Sequence, residues 1–351
     1  MNIAVFLPNW LGDLVMATPA LRALRRLYGC RAQISGVVRP HLLEVLAGTN
    51  FLDEQRPFDP RSPEPEHRRW ALVRWMRGRQ FDLCLLLTHS FDTALMARLG
   101  GATARVGYAR NFRGWLLSQR LVPQRSGGRI VPEPNVQTYL ALAEAIGCPP
   151  EPPRLELRLT PEEIARADNA WQSLDLRGDG RVVALNNSGA YGAAKRWPNE
   201  HCSALARRIA EELDHDVLVI CGPAERETAR QIAQQADHRR VKSLDSLPPS
   251  IGLTKACLER CRLTISTDSG PRHVAAAFGR PVVTLMGPTL SIWIENPLVR
   301  GVDLRVPLEC SGCGRRQCPL GHHRCMRDLT PELVFEHTAE LLRREAVRGA
   351  A

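Results

Sequence analysis

Residues 263–277 read LTISTDSGPRHVAAA, and the order of residue types in that stretch decides the fold. Leu263–Thr267 is a short run rich in apolar and β-branched residues, the pattern of a buried strand. Asp268-Ser269-Gly270 breaks it, and Pro271 then stands where a first-turn proline opens a helix. Ala275–Ala277 are small enough for that helix to lie close on a sheet. A strand that passes straight into a helix is the repeating unit of a parallel α/β sheet. The helix start also leaves backbone N–H groups and a partial positive charge facing the strand end, which suits a phosphate. Ser269 can cap the helix or contact an oxygen, and His273 in the first turn can donate to the same anion. Asp268 adds negative charge there, so a sugar hydroxyl or backbone amides suit it better than a phosphate does.

The same alternation extends outward. Pro281–Met286 is the next strand, and Gly287-Pro288-Thr289 forms a neighbouring wall. Upstream, Val182–Asn187 and Asp216–Cys221 are buried strands, with an amphipathic helix over Glu200–Leu213 between them. Val182–Asn187 runs into Ser188–Pro198 (SGAYGAAKRWP), where small residues expose amides and Lys195 and Arg196 add fixed charge. That composition suits a diphosphate, although the Walker spacing is absent. An ordinary loop with a solvated basic pair fits it too. After Asp216–Cys221 comes Gly222-Pro223-Ala224-Glu225, whose carboxylate can take a ribose hydroxyl or stand as a plain first-turn acid.

The first half repeats the pattern. Asn2–Leu7, Gln33–Val38 and Phe81–Leu87 read as strands, and Ala20–Tyr28 and His41–Leu46 as helical. Residues 57–66 and 125–135 read as loops. Pro149–Pro153 (PPEPP) is a stiff linker. Thr160-Pro161-Glu162-Glu163 beyond it is a capping box. The chain is therefore expected to hold two Rossmann-like domains, residues 1–155 and 156–330, facing a central cleft. A terminal helix over 331–351 is expected to return toward the N-terminal domain. Asn9-Trp10-Leu11-Gly12-Asp13 follows the first strand. Gly12 permits close approach, and Asp13 can act as a general base or as a helix cap.

The composition bounds function more loosely. The 351 residues carry 47 Lys+Arg against 37 Asp+Glu, for a net charge of +10. Such a surface attracts anionic partners, and high Arg usage alone also explains it. No apolar run is long enough to span a bilayer, and Met1–Leu7 has no basic leader, so a cytoplasmic protein is expected. Nucleic acid is excluded as a partner for want of basic, aromatic-interleaved motifs. Most of the 11 cysteines sit in apolar runs. Cys310, Cys313, Cys318 and Cys325 cluster instead and can hold structural zinc or stay as reduced thiols.

NWLGDLVMATPALRALR (residues 9–25), SGAYGAAKRWP (188–198) and TDSGPRHVAAAFGRPVVTLMGPT (267–289) together resemble glycosyltransferase family 9, the heptosyltransferases. The resemblance runs from near residue 1 to about residue 335, with the motifs in the family's order. It implies a GT-B fold, with the acceptor on the N-terminal half and ADP-heptose on the C-terminal half. It implies inverting transfer of heptose from ADP-L-glycero-D-manno-heptose to a heptose of the lipopolysaccharide inner core, with no metal cofactor. By the same resemblance Asp13 is the base and Lys195 faces the donor diphosphate. Ser188, Glu225, Thr267, Asp268, Ser269, Gly270 and His273 are donor-binding, and Asn9, Trp10 and Gly12 lie on the acceptor side. The acceptor is a lipid-linked oligosaccharide at the inner membrane face, so a peripheral enzyme is implied. A transferase for another nucleotide sugar, and a non-catalytic module for anionic lipid, are the alternative readings. Two features depart from the family: Arg272 replaces a commonly apolar residue, and Leu244–Lys255 lacks the usual Gly-Lys-Thr/Ser pattern.

Overall fold

Apolar runs bounded by Gly, Pro and Asx residues become strands, and the computed structural model, which describes residues 1–189 and 191–349, gathers them into two parallel sheets. One unit comprises Met1–Arg158 with Ile292–Asn296, and the other Leu159–Ser291 with Pro297–Ala351. The sequence places the division a few residues earlier and does not foresee that Ile292–Asn296 groups with the first unit.

In the first unit the strands are β1 Asn2–Phe6, β2 Gln33–Val38, β3 Glu54–Pro57, β4 Leu83–Leu86, β5 Ala104–Tyr108 and β6 Gln119–Leu121. Their order is β3-β2-β1-β4-β5-β6, all parallel. The helices are α1 Leu11–Met16, α2 Thr18–Tyr28, α3 Arg69–Arg79, α4 Phe91–Leu99 and α5 Asn135–Ala145. α2 packs on α5, and α3 on α4. The predicted loop at 125–135 holds a small hairpin, β7 Arg125–Ser126 with β8 Arg129–Ile130. His41–Leu46 forms a 3-10 helix within Pro40–Leu46, not an α-helix. Its first position is a proline and its span is under two α-turns, so the tighter winding closes it.

The second unit repeats the plan. Its strands are β9 Val182–Asn186, β10 Asp216–Ile220, β11 Val241–Ser243, β12 Leu263–Thr267, β13 Val282–Met286 and β14 Gly301–Arg305, in the parallel order β11-β10-β9-β12-β13-β14. Its helices are α6 Pro161–Ser173, α7 Asn199–Glu212, α8 Arg226–Ala236, α9 Ile251–Arg260, α10 Gly270–Ala277, α11 Arg324–Arg327 and α12 Pro331–Gly349. The Thr160 capping box forms as read. α7 buries Cys202, Leu205, Ala206 and Ile209, the predicted apolar face. The sequence sends the terminal helix back toward the first half; the structure assigns α12 to the second unit. It packs there on α7, because Val334, Phe335 and Thr338 are buried and Arg208 of α7 stacks over the Phe335 ring.

Two such α/β units in one chain are the make-up of the GT-B class. In each sheet the strand order reverses beside its first strand, between β1 and β4 and between β9 and β12. Open α/β sheets bind ligands at the carboxyl ends of the strands flanking such a reversal.

Candidate functional site

The reversal in the second unit places the β9 loop beside the β12 loop, and this brings Lys195 to Asp268. The Lys195 Nζ lies 2.7 Å from the Asp268 Oδ2 and donates to the Asp268 carbonyl at 2.7 Å. Asp268 is buried, which pushes its carboxyl up, but Lys195, His273 and a hydrogen bond from Thr289 outweigh burial and hold it below the usual carboxylate range. Asp268 therefore takes an ammonium and the Thr289 hydroxyl as partners, where the sequence favours a sugar hydroxyl or backbone amides. Thr289 confirms Gly287-Pro288-Thr289 as the neighbouring wall.

Asp268 stands at the start of α10. Ser269 occupies the N-cap position but makes no cap bond. Its hydroxyl accepts from Asn186 at 2.9 Å and donates to the Thr267 carbonyl. The first-turn amides of α10 thus carry no side-chain cap. His273 is fully enclosed, and burial, then Arg272, push its imidazole down to about 3. It is neutral at working pH and offers one N–H rather than a charge. Arg272 is also buried, donating to the Thr284 hydroxyl at 3.0 Å and pairing with Asp303 at 3.3 Å, so it ties α10 to β13 and β14.

The β9 loop is fixed from several sides. Asn187 Nδ2 donates to the Trp197 carbonyl, and Trp197 N–H donates back to Asn187 Oδ1, both at 2.8 Å. Thr267 donates its hydroxyl to the Ser188 carbonyl at 2.8 Å. Glu225 accepts from the Ser188 hydroxyl at 2.8 Å, the Gly189 amide at 3.1 Å and the Gly222 amide at 3.2 Å. The acid singled out for a ribose is thus engaged in joining two loops. Ala190, within the same motif, lies outside the described residues.

The Cys-rich segment buttresses this loop. Arg316 O accepts from Ala194 N–H at 3.0 Å, Tyr191 donates to the Gly314 carbonyl at 2.7 Å, and His323 Nε2 donates to the Ala194 carbonyl at 2.9 Å. Lys195 and Arg316 both stand over the Tyr191 ring, at 5.1 and 5.2 Å. A Cβ on Gly192 would meet Arg316 O at 2.3 Å, which explains the glycine. Among the described residues, no three of Cys310, Cys313, Cys318 and Cys325 bring their sulfurs within 4.8 Å of one another. The Cys318 sulfur instead accepts from the His323 amide at 3.4 Å.

In the first unit Asn9 and Trp10 lie in the loop after β1, and Gly12 and Asp13 in the opening turn of α1. Asp13 lies in the first turn of α1, whose N-cap is Trp10, so it is not the cap. Asp13 Oδ1 accepts from the Tyr139 hydroxyl at 3.2 Å and from Asn135 Nδ2 at 3.4 Å, both on α5. Burial, and then Asp13 itself, raise the Tyr139 phenol well above its usual value, so it stays a donor. Asn9 Oδ1 accepts from Arg39 Nε at 3.0 Å, and Arg39 pairs with Asp59 at 2.7 Å. Trp10 is half exposed. Sequence reasoning missed Arg39, Asn135 and Tyr139. Asn and Tyr four apart, just past Pro134, share one face of a helix, and that spacing was the available signal.

Leu244–Lys255 holds a 3-10 turn and the start of α9, capped by Ser250. Lys255 is fully buried and pairs with both oxygens of Glu163 on α6 at 3.0 Å. This lysine joins two helices within the core.

The model of glycosyltransferase family 9 (heptosyltransferase) matches residues 69–323. The chain is 26% identical to lipooligosaccharide heptosyltransferase 2 of Campylobacter jejuni, over 98% of this chain and 99% of that one. It is 25% identical to lipopolysaccharide heptosyltransferase 2 of Escherichia coli K12, with the same coverage. Among solved structures, E. coli ADP-heptose lps heptosyltransferase II superposes with a TM-score of 0.79 at 24% identity, over 99% of this chain and 100% of that one. A glycosyl transferase of family 9 from Veillonella parvula gives 0.81 at 21% identity, over 98% and 97%.

Proposed function

Because the chain belongs to glycosyltransferase family 9, we propose that it transfers heptose, with inversion, from ADP-L-glycero-D-manno-heptose to a heptose of the lipopolysaccharide inner core. The observation that carries the reading is the pairing of Lys195 with Asp268 beside the uncapped start of α10, at the strand-order reversal of the second sheet. A donor diphosphate there meets an ammonium and the uncapped amides of the α10 first turn, with the enclosed, neutral His273 adding no charge of its own. Asp268 holds Lys195 in place and lowers the net charge of the site, so the site binds a leaving group without trapping it. Ser188, Thr267 and Glu225 shape the loop edges on which the nucleoside rests, with Gly270 allowing close approach.

Asp13 is the base. Its carboxylate takes the proton of the acceptor hydroxyl, whose oxygen attacks the anomeric carbon. The bond from that carbon to the diphosphate breaks, and ADP leaves with the electron pair. Charge gathering on the leaving group is met by Lys195 and the α10 amides, which are already oriented. Tyr139 and Asn135 aim the Asp13 carboxylate, and Asn9, Trp10 and Gly12 form the acceptor side. The Cys310–Cys325 segment props the loop that carries Lys195, and no metal takes part in the transfer. The acceptor is a lipid-linked oligosaccharide at the inner membrane face, and the enzyme works there as a peripheral cytoplasmic protein.

The test is donor competition. Purified protein is given a heptose-bearing core acceptor with ADP-heptose, a UDP-sugar or a GDP-sugar, and nucleotide release is followed. ADP-heptose should be used by far the best. Faster turnover with a UDP- or GDP-sugar would sink the donor assignment, and no release with any pair would sink the transferase reading.

A further inference from the structure

We propose that the first unit docks on an anionic phospholipid surface through the carboxyl edge of its sheet on the α3 and α4 side. Every exposed aromatic side chain among the described residues belongs to this unit. Four of them, Trp70, Phe91, Phe112 and Trp115, come from segments that meet at that edge. Arg69 of α3 pairs with Asp92 of α4 at 2.7 Å, the Phe91 and Trp115 rings lie 6.2 Å apart, and Asn111 donates to the His89 carbonyl at 2.8 Å.

Phe112 is 97% exposed, and it is held that way. Asn111 and Phe112 are consecutive left-handed residues, at φ 52° and 57°, which is an unfavourable backbone for a bulky side chain. Arg113 behind them is fully buried, donating to the Tyr108 carbonyl at 3.0 Å and the Ser90 carbonyl at 3.1 Å. Arg113 ties the turn to the ends of β5 and α4, while the Phe112 ring that the strained turn presents to water buries nothing in the core.

The charge beside these rings is positive. The first unit carries 21 Arg, no Lys and 14 acidic residues, so it holds most of the net charge. α3 contains four Arg and no acid; Arg69 pairs with Asp92 and Arg79 with Glu54 of β3, which leaves Arg74 and Arg77 without an ion pair among the described residues. Arg74 is exposed, and Arg68 donates only to backbone carbonyls. Both line an open groove of about 900 Å³ together with Trp70 and Trp75, where Glu66 is the one acid. Rings that settle at a headgroup boundary, next to guanidinium groups lacking carboxylates, complement a phosphate-rich surface that is negative and wide. The inference rests on the transferase reading only for which membrane is met.

The experiment is co-sedimentation of the full chain with phosphatidylcholine vesicles, with and without phosphatidylglycerol. The wild type should bind the anionic vesicles and leave the neutral ones, and the binding should weaken with salt. Replacing Arg68 and Arg74 by Ser, or Trp70, Phe112 and Trp115 by Ser, should each lower it about tenfold. Phe112→Gly should weaken binding while leaving Tm no lower than wild type, because glycine accepts the left-handed backbone. All variants should keep wild-type transfer to a delipidated, water-soluble acceptor. Failure of the wild type in that last arm would count against the transferase reading and leave docking intact. Equal binding to neutral vesicles, or wild-type binding by the variants, would overturn docking. Loss of a dimer in the variants with vesicle binding unchanged would also overturn it and give the surface to a second copy.

Discussion

Asp13 and Lys195 are each defined by a partner far away in the chain. Asp13→Asn should lower kcat by about 10²–10⁴-fold, the usual worth of a general base, with donor KM little changed in steady-state assays. Tyr139→Phe removes a hydrogen bond to a charged group and should lower kcat by about tenfold. A wild-type rate in Tyr139→Phe would mean that the phenol does not aim Asp13. Lys195→Ala leaves the Asp268 carboxylate buried and unpaired, and should cost about 3–5 kcal/mol in denaturant unfolding. Adding Asp268→Asn should recover much of that stability and none of the activity. His273 gives a pH signature. Its folded pKa, about 3, lies below the unfolded 6.5. The unfolded chain therefore binds the extra proton between those values, and stability falls as pH drops through that window. The slope is at most about 1.4 kcal/mol per pH unit, and His273→Gln should flatten it in urea titrations.

Among the elements, the β9 loop and the Cys-rich segment act as one piece, since their backbones touch at Gly192 and Arg316. Gly192→Ala pushes them apart and should raise the Kd for ADP by about tenfold by calorimetry, a loss of roughly 1.4 kcal/mol. An unchanged Kd would show that the prop is unnecessary. α6 and α9 are joined by Glu163 and Lys255. Lys255→Met should destabilise by about 3–5 kcal/mol, and Glu163→Gln added to it should restore part of that loss in thermal melts. Strand and helix order were largely legible, because burial on both faces writes long apolar runs such as Phe81–Leu87. The edge strands β3, β6, β11 and β14 were not, being three to five residues long and partly polar, and neither was the interior β5, whose first two residues are only half-buried. Ser269 shows a subtler limit. Its position reads as a cap, but Asn186 on the neighbouring strand takes its hydroxyl.

At the scale of the molecule, two units of like topology carry unequal surfaces. The second holds the ion-paired site, and the first holds most of the net charge and, among the described residues, all the exposed aromatic rings. ADP at a hundred times its Kd should stabilise the protein by about 2.7 kcal/mol, and Lys195→Ala should abolish the shift in a thermal melt. The sequence by itself determined the alternation of strands and helices, the loops that carry chemistry and the family, because apolar period, caps and glycines act over a few residues. Only the tertiary structure decided that Lys195 belongs to Asp268, 73 residues on, and Tyr139 to Asp13, 126 residues away. Those pairings depend on which parallel strands become neighbours and in what register, and no local pattern carries that information.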